Sequence, residues 1–121
     1  MSDPIFRHFF AGFVRLHILY HADKHPVCGV EMMEELHRHG YELSPGTLYP
    51  ILRAMTEAGY VEWSNEVVNG KRRKNYRITA KGRRLLREAR DKVRELVGEL
   101  VEDRDKMTAA NTRGRSGQRK A

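Results

Sequence analysis

The chain has 121 residues, the size of one domain, and its 40% hydrophobic content gives a thin core that burial shared with a second subunit would strengthen. A formal net charge of +7, from 23 Lys and Arg against 16 Asp and Glu, favours an anionic partner, either nucleic acid or anionic lipid. The start Met1-Ser2-Asp3-Pro4 is acidic where a secretory signal is basic, charges interrupt every apolar run, and the lone Cys28 allows no internal disulfide, so the expected location is the cytoplasm, with no membrane contact.

In chain order, Phe6, Phe9, Phe10, Phe13, Val14, Leu16 and Leu19 recur at three- and four-residue spacing and predict an amphipathic helix from Ile5 to about Ala22, capped by Asp3 and Pro4. The stripe is wider than a small domain needs, so part of it is expected to face a partner. Asp23 to Pro26 reads as a loop. A second helix is expected from Cys28 to His39, with Val30, Met33 and Leu36 as its buried edge, Met32 beside them and Gly40 as its stop. Ser44-Pro45 opens a third helix that ends near Gly59, with Leu48, Ile51, Leu52 and Met55 inward. Pro50 leaves two readings open there: a kinked helix, or one that begins only at Thr47.

Val61, Trp63 and Val67 alternate as a half-buried strand does, and Asn69-Gly70 is a strong signal for a type I′ hairpin turn. The return strand runs from Arg72 to Thr79 with Tyr76 and Ile78 on one face, and Trp63 and Tyr76 are expected in the core. Thr79 caps a last helix from Ala80 to about Asp105, in which Leu86, Ala89, Val93, Leu96 and Leu100 form a coiled-coil seam broadened by Val97 and Val101. From Met107 onward the composition is small, polar and basic, without periodicity, which predicts disorder.

These elements make a mainly α fold with a small β-hairpin: a winged helix-turn-helix over 1–79, a C-terminal dimerisation helix over 80–106 and a basic tail over 107–121. Such a fold implies a double-stranded DNA partner. The major groove admits one α-helix, and the third helix is the candidate to enter it. Ser44, Thr47, Tyr49 and Arg53 are its polar positions expected to meet DNA. Lys71, Arg72, Arg73 and Lys74 on the hairpin would meet phosphates, which position the protein without reading sequence. Tyr49 also has a bracing reading and Arg53 that of a solvated helix charge. Four adjacent cations on an ordered hairpin repel one another, which a polyanion relieves. Arg83 and Arg84 have two readings, a solvated helix face and a contact to DNA.

Several strings here resemble the PadR family of bacterial transcriptional regulators across about Phe10 to Leu86. They are Cys28-Gly29-Val30-Glu31-Met32, Ser44-Pro45-Gly46-Thr47-Leu48-Tyr49-Pro50-Ile51-Leu52, Glu57-Ala58-Gly59-Tyr60-Val61, Lys71-Arg72-Arg73-Lys74-Asn75-Tyr76 and Ile78-Thr79-Ala80-Lys81-Gly82. The resemblance implies a homodimer formed by the last helix against the partner's first and last helices. It also implies repression by promoter occupancy, relieved by a small-molecule or stress signal. The single helix after the hairpin fits the short subgroup. Phe6, Phe9, Phe13, Val93, Leu96 and Leu100 are the expected dimer residues and would line an effector pocket; packing alone also accounts for them. Two departures stand out: Val30 replaces a usual aromatic, and the basic tail lies outside the pattern.

No cofactor or metal site is expected, and no enzyme activity, since no parallel strand–helix unit exists to carry a phosphate loop and Cys28 has no positioned base. Two alternatives compete. A metal-responsive winged-helix repressor would use His17 and His21, four apart on one helix, with His25 and Cys28 nearby, although no CxxC or HExxH pattern is present. A winged-helix protein-interaction module is the other, and the basic hairpin argues against it.

Overall fold

A computed structural model describes residues 3–102, so the basic tail lies outside the described residues. The chain divides into two units, Met1–Arg87 and Glu88–Ala121. The elements run α1 (Pro4–Lys24), β1 (Val27–Cys28), α2 (Gly29–Arg38), α3 (Pro45–Glu57), β2 (Val61–Val68), β3 (Lys71–Ile78) and α4 (Ala80–Val97), followed by a π-helical turn, Gly98–Glu102.

The helix ends follow from local chemistry. Ile5 N–H donates to the Asp3 carboxylate at 2.9 Å, with Pro4 in the first turn of α1. Both α2 and α3 close on a left-handed glycine, Gly40 at φ +91° and Gly59 at φ +85°. After each glycine a backward hydrogen bond seals the end, from Tyr41 N–H to the Leu36 carbonyl at 3.0 Å and from Tyr60 N–H to the Met55 carbonyl at 2.9 Å. The helix α3 begins at Pro45, so Pro50 stands inside it. Gly46 and Pro50 are both exposed, so water can satisfy the Gly46 carbonyl that the proline leaves without a donor.

The core of the first unit draws Val14, Ile18, Leu19 and Ala22 from α1, Met32 and Leu36 from α2, Leu48, Leu52 and Met55 from α3, Val61, Tyr76 and Ile78 from the hairpin, and Leu86 from α4. On α2 the expected inward edge is displaced: Val30 is 59% exposed, and Met32 takes the fully buried place. The helix starts directly after a strand that fixes its phase, which periodicity over ten residues does not reveal.

That strand is β1, of which the sequence reading assigns Cys28 to the start of a helix and Val27 to no element. It adds a third, antiparallel member to the sheet, in the order β1-β3-β2, through Val27 opposite Tyr76 and Cys28 opposite Asn75. The hairpin turn has Asn69 at φ 52° and Gly70 at φ 77°, as a type I′ turn requires. Val61 is buried, but Trp63 is 42% and Val67 66% exposed, so neither is a core residue. The alternation is as read from sequence; the hairpin simply outruns the domain, and only its base reaches the core.

Thr79 fastens the hairpin exit. Its hydroxyl donates to the Gly59 carbonyl at 2.6 Å and accepts from Gly82 N–H at 3.0 Å, capping α4. Gly82 is buried against the Tyr60 carbonyl and Ile78, which leaves no room for a Cβ. In the last helix, expected to run to about Asp105, regular α-geometry ends at Val97 and a π-turn over Gly98–Glu102 shifts the phase of Leu100 and Val101; residues beyond 102 lie outside those described.

Candidate nucleic-acid interface

The exposed start of α3 offers donors and hydroxyls. Ser44 takes the N-cap position in extended conformation, but its hydroxyl lies 3.3 Å from that of Thr47 and does not cap the helix. The Gly46 N–H therefore has no partner among the described residues, and a free amide at the positive end of a helix dipole suits a phosphate. Thr47, Tyr49 and Arg53 lie exposed on α3 while Leu48 and Leu52 are buried, the two faces that a helix of this period separates.

Tyr49 holds a position between helices as well as at the surface. Its ring rests on Gly29 at the start of α2, so closely that an added Cβ there would come within 2.5 Å of the Tyr49 hydroxyl. It borders two clefts. One, of about 270 Å³, is lined by Tyr49, Arg53, Thr56, Glu57, Trp63 and Lys74, among others. The other, of about 300 Å³, joins Tyr49 and Gly29 to Arg72, Arg73 and Lys74. Tyr49 and Arg53 of α3 thus border the same clefts as Arg72, Arg73 and Lys74 of the basic strand.

All four hairpin cations are exposed, and among the described residues none sits in an ion pair within 4 Å. Strand alternation divides them: Arg72 and Lys74 share the face of Tyr76, and Lys71 and Arg73 point the other way. The Lys74 ammonium stands 4.2 Å from the centre of the Trp63 ring, a cation–π contact that orders the side chain while leaving its charge free. Burial pushes the Tyr76 phenol up, with Tyr49 adding to the effect. Arg73 helps to lower the Glu31 carboxyl, whose main cause is the hydrogen bond it accepts from Cys28 N–H at 3.1 Å.

Sequence reasoning missed the part played by Gly29 under Tyr49 and by Trp63 beside Lys74. The small residue at Gly29 was the available signal for the first. For Trp63 the strand alternation was right, but it does not show that only the base of the hairpin reaches the core.

Elsewhere, Phe6, Phe9 and Phe13 lie exposed along α1, with Phe9 at 52%. In the second unit Val93, Leu96 and Leu100 are also exposed, Leu100 at 64%. Of the residues considered for metal, Cys28 is buried as the N-cap residue of α2, and His25 Nδ1 lies 3.0 Å from the Pro26 carbonyl. His17 and His21 instead meet His39, an association of distant positions that no local spacing announces. Burial is the first cause that lowers both His17 and His21 below the ordinary imidazole value; His39 lowers them further, and Glu35 opposes the shift at His21.

Three helices, a basic hairpin and an exposed third helix define a winged helix-turn-helix of the kind found in transcriptional regulators. The family model described as "Transcriptional regulator PadR-like family" matches residues 18–88. A relative from Mycobacterium tuberculosis, "Transcriptional regulator Rv3488", is 44% identical over 95 residues, spanning 78% of this chain and 89% of that protein. A PadR-like transcriptional regulator from Bacillus cereus superposes with a TM-score of 0.67 at 27% identity, covering 84% of this chain and 96% of that one. A PadR family regulator from Eggerthella lenta gives 0.68 at 29% identity, over 81% and 89% of the two chains. The chain belongs to the PadR-like family of transcriptional regulators. No described helix is long and apolar enough to cross a membrane.

Proposed function

We propose that this chain is a homodimeric repressor that binds a pseudo-palindromic duplex operator with α3 in the major groove and the hairpin along the backbone. The observation that carries this reading is the pair of adjoining clefts in which Tyr49 and Arg53 of α3 meet Arg72, Arg73 and Lys74 of β3. In this arrangement the cations of β3 contact phosphates and set the register, while Thr47 and Arg53 reach base edges. Two protomers related by a two-fold axis bring their α3 helices about 34–36 Å apart, onto successive major-groove faces.

The dimer reading is supported by apolar surface that a single chain leaves uncovered on both α1 and α4. Phe6, Phe9, Phe13, Val93, Leu96 and Leu100 form the dimer contacts, and a small-molecule effector lodged among them releases the operator by changing the separation of the two α3 helices. In this reading the first 79 residues bind DNA, the helix that follows pairs the subunits, the basic tail adds affinity without specificity, and the protein works in the cytoplasm without enzymatic activity.

Selection from a pool of randomised duplexes, followed by salt titration on the selected site, tests the proposal. Enrichment of a two-fold-symmetric sequence whose binding falls steeply with salt is the expected result. Salt-sensitive binding with no enriched site reduces the protein to a non-specific DNA binder, and absence of binding removes the operator-repressor reading.

A further inference from the structure

Three imidazoles from two helices converge outside the DNA-facing surface. His17 and His21 lie one turn apart on α1, and His39 is the C-cap residue of α2. One ring nitrogen from each of the three falls within 4.8 Å of the other two. The closest pair is His21 Nε2 and His39 Nε2, 3.3 Å apart. Two nitrogens bound to one tetrahedral ion at about 2.0–2.1 Å each must stand roughly 3.3–3.4 Å from one another. The His21–His39 pair already has that spacing.

The surroundings orient the ligands. The Nδ1 of His21 faces the Glu35 carboxylate at 3.5 Å, while the other carboxylate oxygen holds Arg38. A proton on Nδ1 satisfies Glu35 and leaves the Nε2 lone pair toward His39, the carboxylate–histidine arrangement that fixes tautomer and ring at metal centres. The backbone of His39 is held by the closed end of α2, with Gly40 N–H bonded to the His37 carbonyl at 2.9 Å. Tyr41 backs the group edge-on against His17, at 5.3 Å between ring centres. The rings of His17 and His39 are stacked at 4.3 Å, so coordination requires both to turn until their lone pairs meet. His39 is exposed and free to do so.

We propose that His17, His21 and His39 form a binding site for a borderline divalent transition-metal ion of the Zn²⁺ type, with Glu35 as the residue that orients His21. Three imidazoles leave the fourth tetrahedral position to water. Imidazole nitrogen selects this class of ion over Mg²⁺ or Ca²⁺, which take oxygen. The bound ion fastens α1 to the end of α2. Where the dimeric DNA-binding reading also holds, this clamp joins the helix that carries the exposed phenylalanines to the helix that braces α3. The metal site itself stands without that reading.

The test is titration of the full chain, freed of any histidine tag, with Zn²⁺ by calorimetry and with Co²⁺ by visible absorption. One saturable Zn²⁺ per chain and the intense d–d bands of tetrahedral Co²⁺ are expected. Glu35→Gln weakens Zn²⁺ binding by about 10–100-fold, the range found for outer-shell partners, and His39→Ala weakens it at least as much. His37→Ala, on the exposed last turn of α2, leaves it unchanged. Lack of saturable Zn²⁺ binding by the unaltered chain overturns the site. Full affinity in His39→Ala does the same, and so does a Co²⁺ spectrum of free hexaaqua ion, an outcome that needs no variant to fold.

Discussion

The basic strand can be tested through a slope rather than an affinity, and the slope is calculable. Each phosphate contact made by a Lys or Arg releases condensed counterions, so the logarithm of the binding constant falls against log salt by about 0.9 per contact on B-DNA. Arg72→Gln with Arg73→Gln removes two exposed cations per chain, hence four in a dimer with both hairpins on DNA. The slope should then become shallower by about 3.6. Over a fourfold rise in salt the unaltered protein should lose roughly two decades more affinity than the variant. Fluorescence anisotropy on one labelled duplex, at five or more salt concentrations, measures this directly. Both side chains are exposed and, among the described residues, outside any ion pair, so stability should change by no more than about 0.5 kcal/mol. Arg90→Gln, on the exposed face of α4, is the control for net charge alone. A parallel downward shift of the line, with the slope intact, would refute phosphate contact by these two residues.

Gly82→Ala should cost about 1–3 kcal/mol through the clash with the Tyr60 carbonyl and Ile78. An unchanged thermal midpoint would show that α4 does not start against Tyr60 as described. Phe9→Glu with Phe13→Glu places charges on an exposed face, so the single chain should stay folded while dimer affinity drops at least tenfold, or about 1.4 kcal/mol. Sedimentation equilibrium reads this, and an unaltered dimer would remove α1 from the interface. Glu31 has a lowered pKa in the folded chain, chiefly from the Cys28 N–H it accepts. Its contribution to stability is therefore complete above the ordinary glutamate range and disappears as pH falls through the lowered folded value. The midpoint difference between the unaltered chain and Glu31→Gln should shrink on acidification, and a difference that grows would reverse the assigned sign.

Helix ends, turn type and the hairpin return were legible because each rests on chemistry within four residues. Asp3-Pro4, Gly40, Gly59, Asn69-Gly70 and Thr79 all act at positions where only a few residue types meet the backbone's demands. The identities along α3 were legible too, since Leu48, Leu52 and Met55 bury one side and leave Thr47, Tyr49 and Arg53 on the other. What could not be read depends on distant pairing. Two residues, Val27 and Cys28, form a strand only because β3 offers an edge 47 or more residues later, and that strand sets the phase that exposes Val30. Trp63 and Val67 obey the right alternation on a hairpin whose length exceeds the core it leaves. His39 joins His17 and His21 only once α2 has closed on Gly40 beside α1.

The distribution of burial explains why association and folding should be linked in this chain. Every buried apolar residue among those described belongs to Met1–Arg87, the last being Leu86. Beyond it, Val93, Leu96, Val97, Leu100 and Val101 keep the spacing of an apolar seam yet remain exposed. Isolated helices shorter than about 12–15 residues are marginal in water, because propagation barely offsets the cost of nucleation. The stretch from Glu88 to Glu102 continues α4 and so starts from a formed nucleus, but it has no core of its own and leaves its apolar side chains uncovered. In the proposed dimer a second copy would cover that surface by symmetry, together with the exposed phenylalanines of α1. In the proposed dimer, the spacing of the two α3 helices depends on the packing of the least self-sufficient part of the fold, where a small perturbation has the greatest leverage.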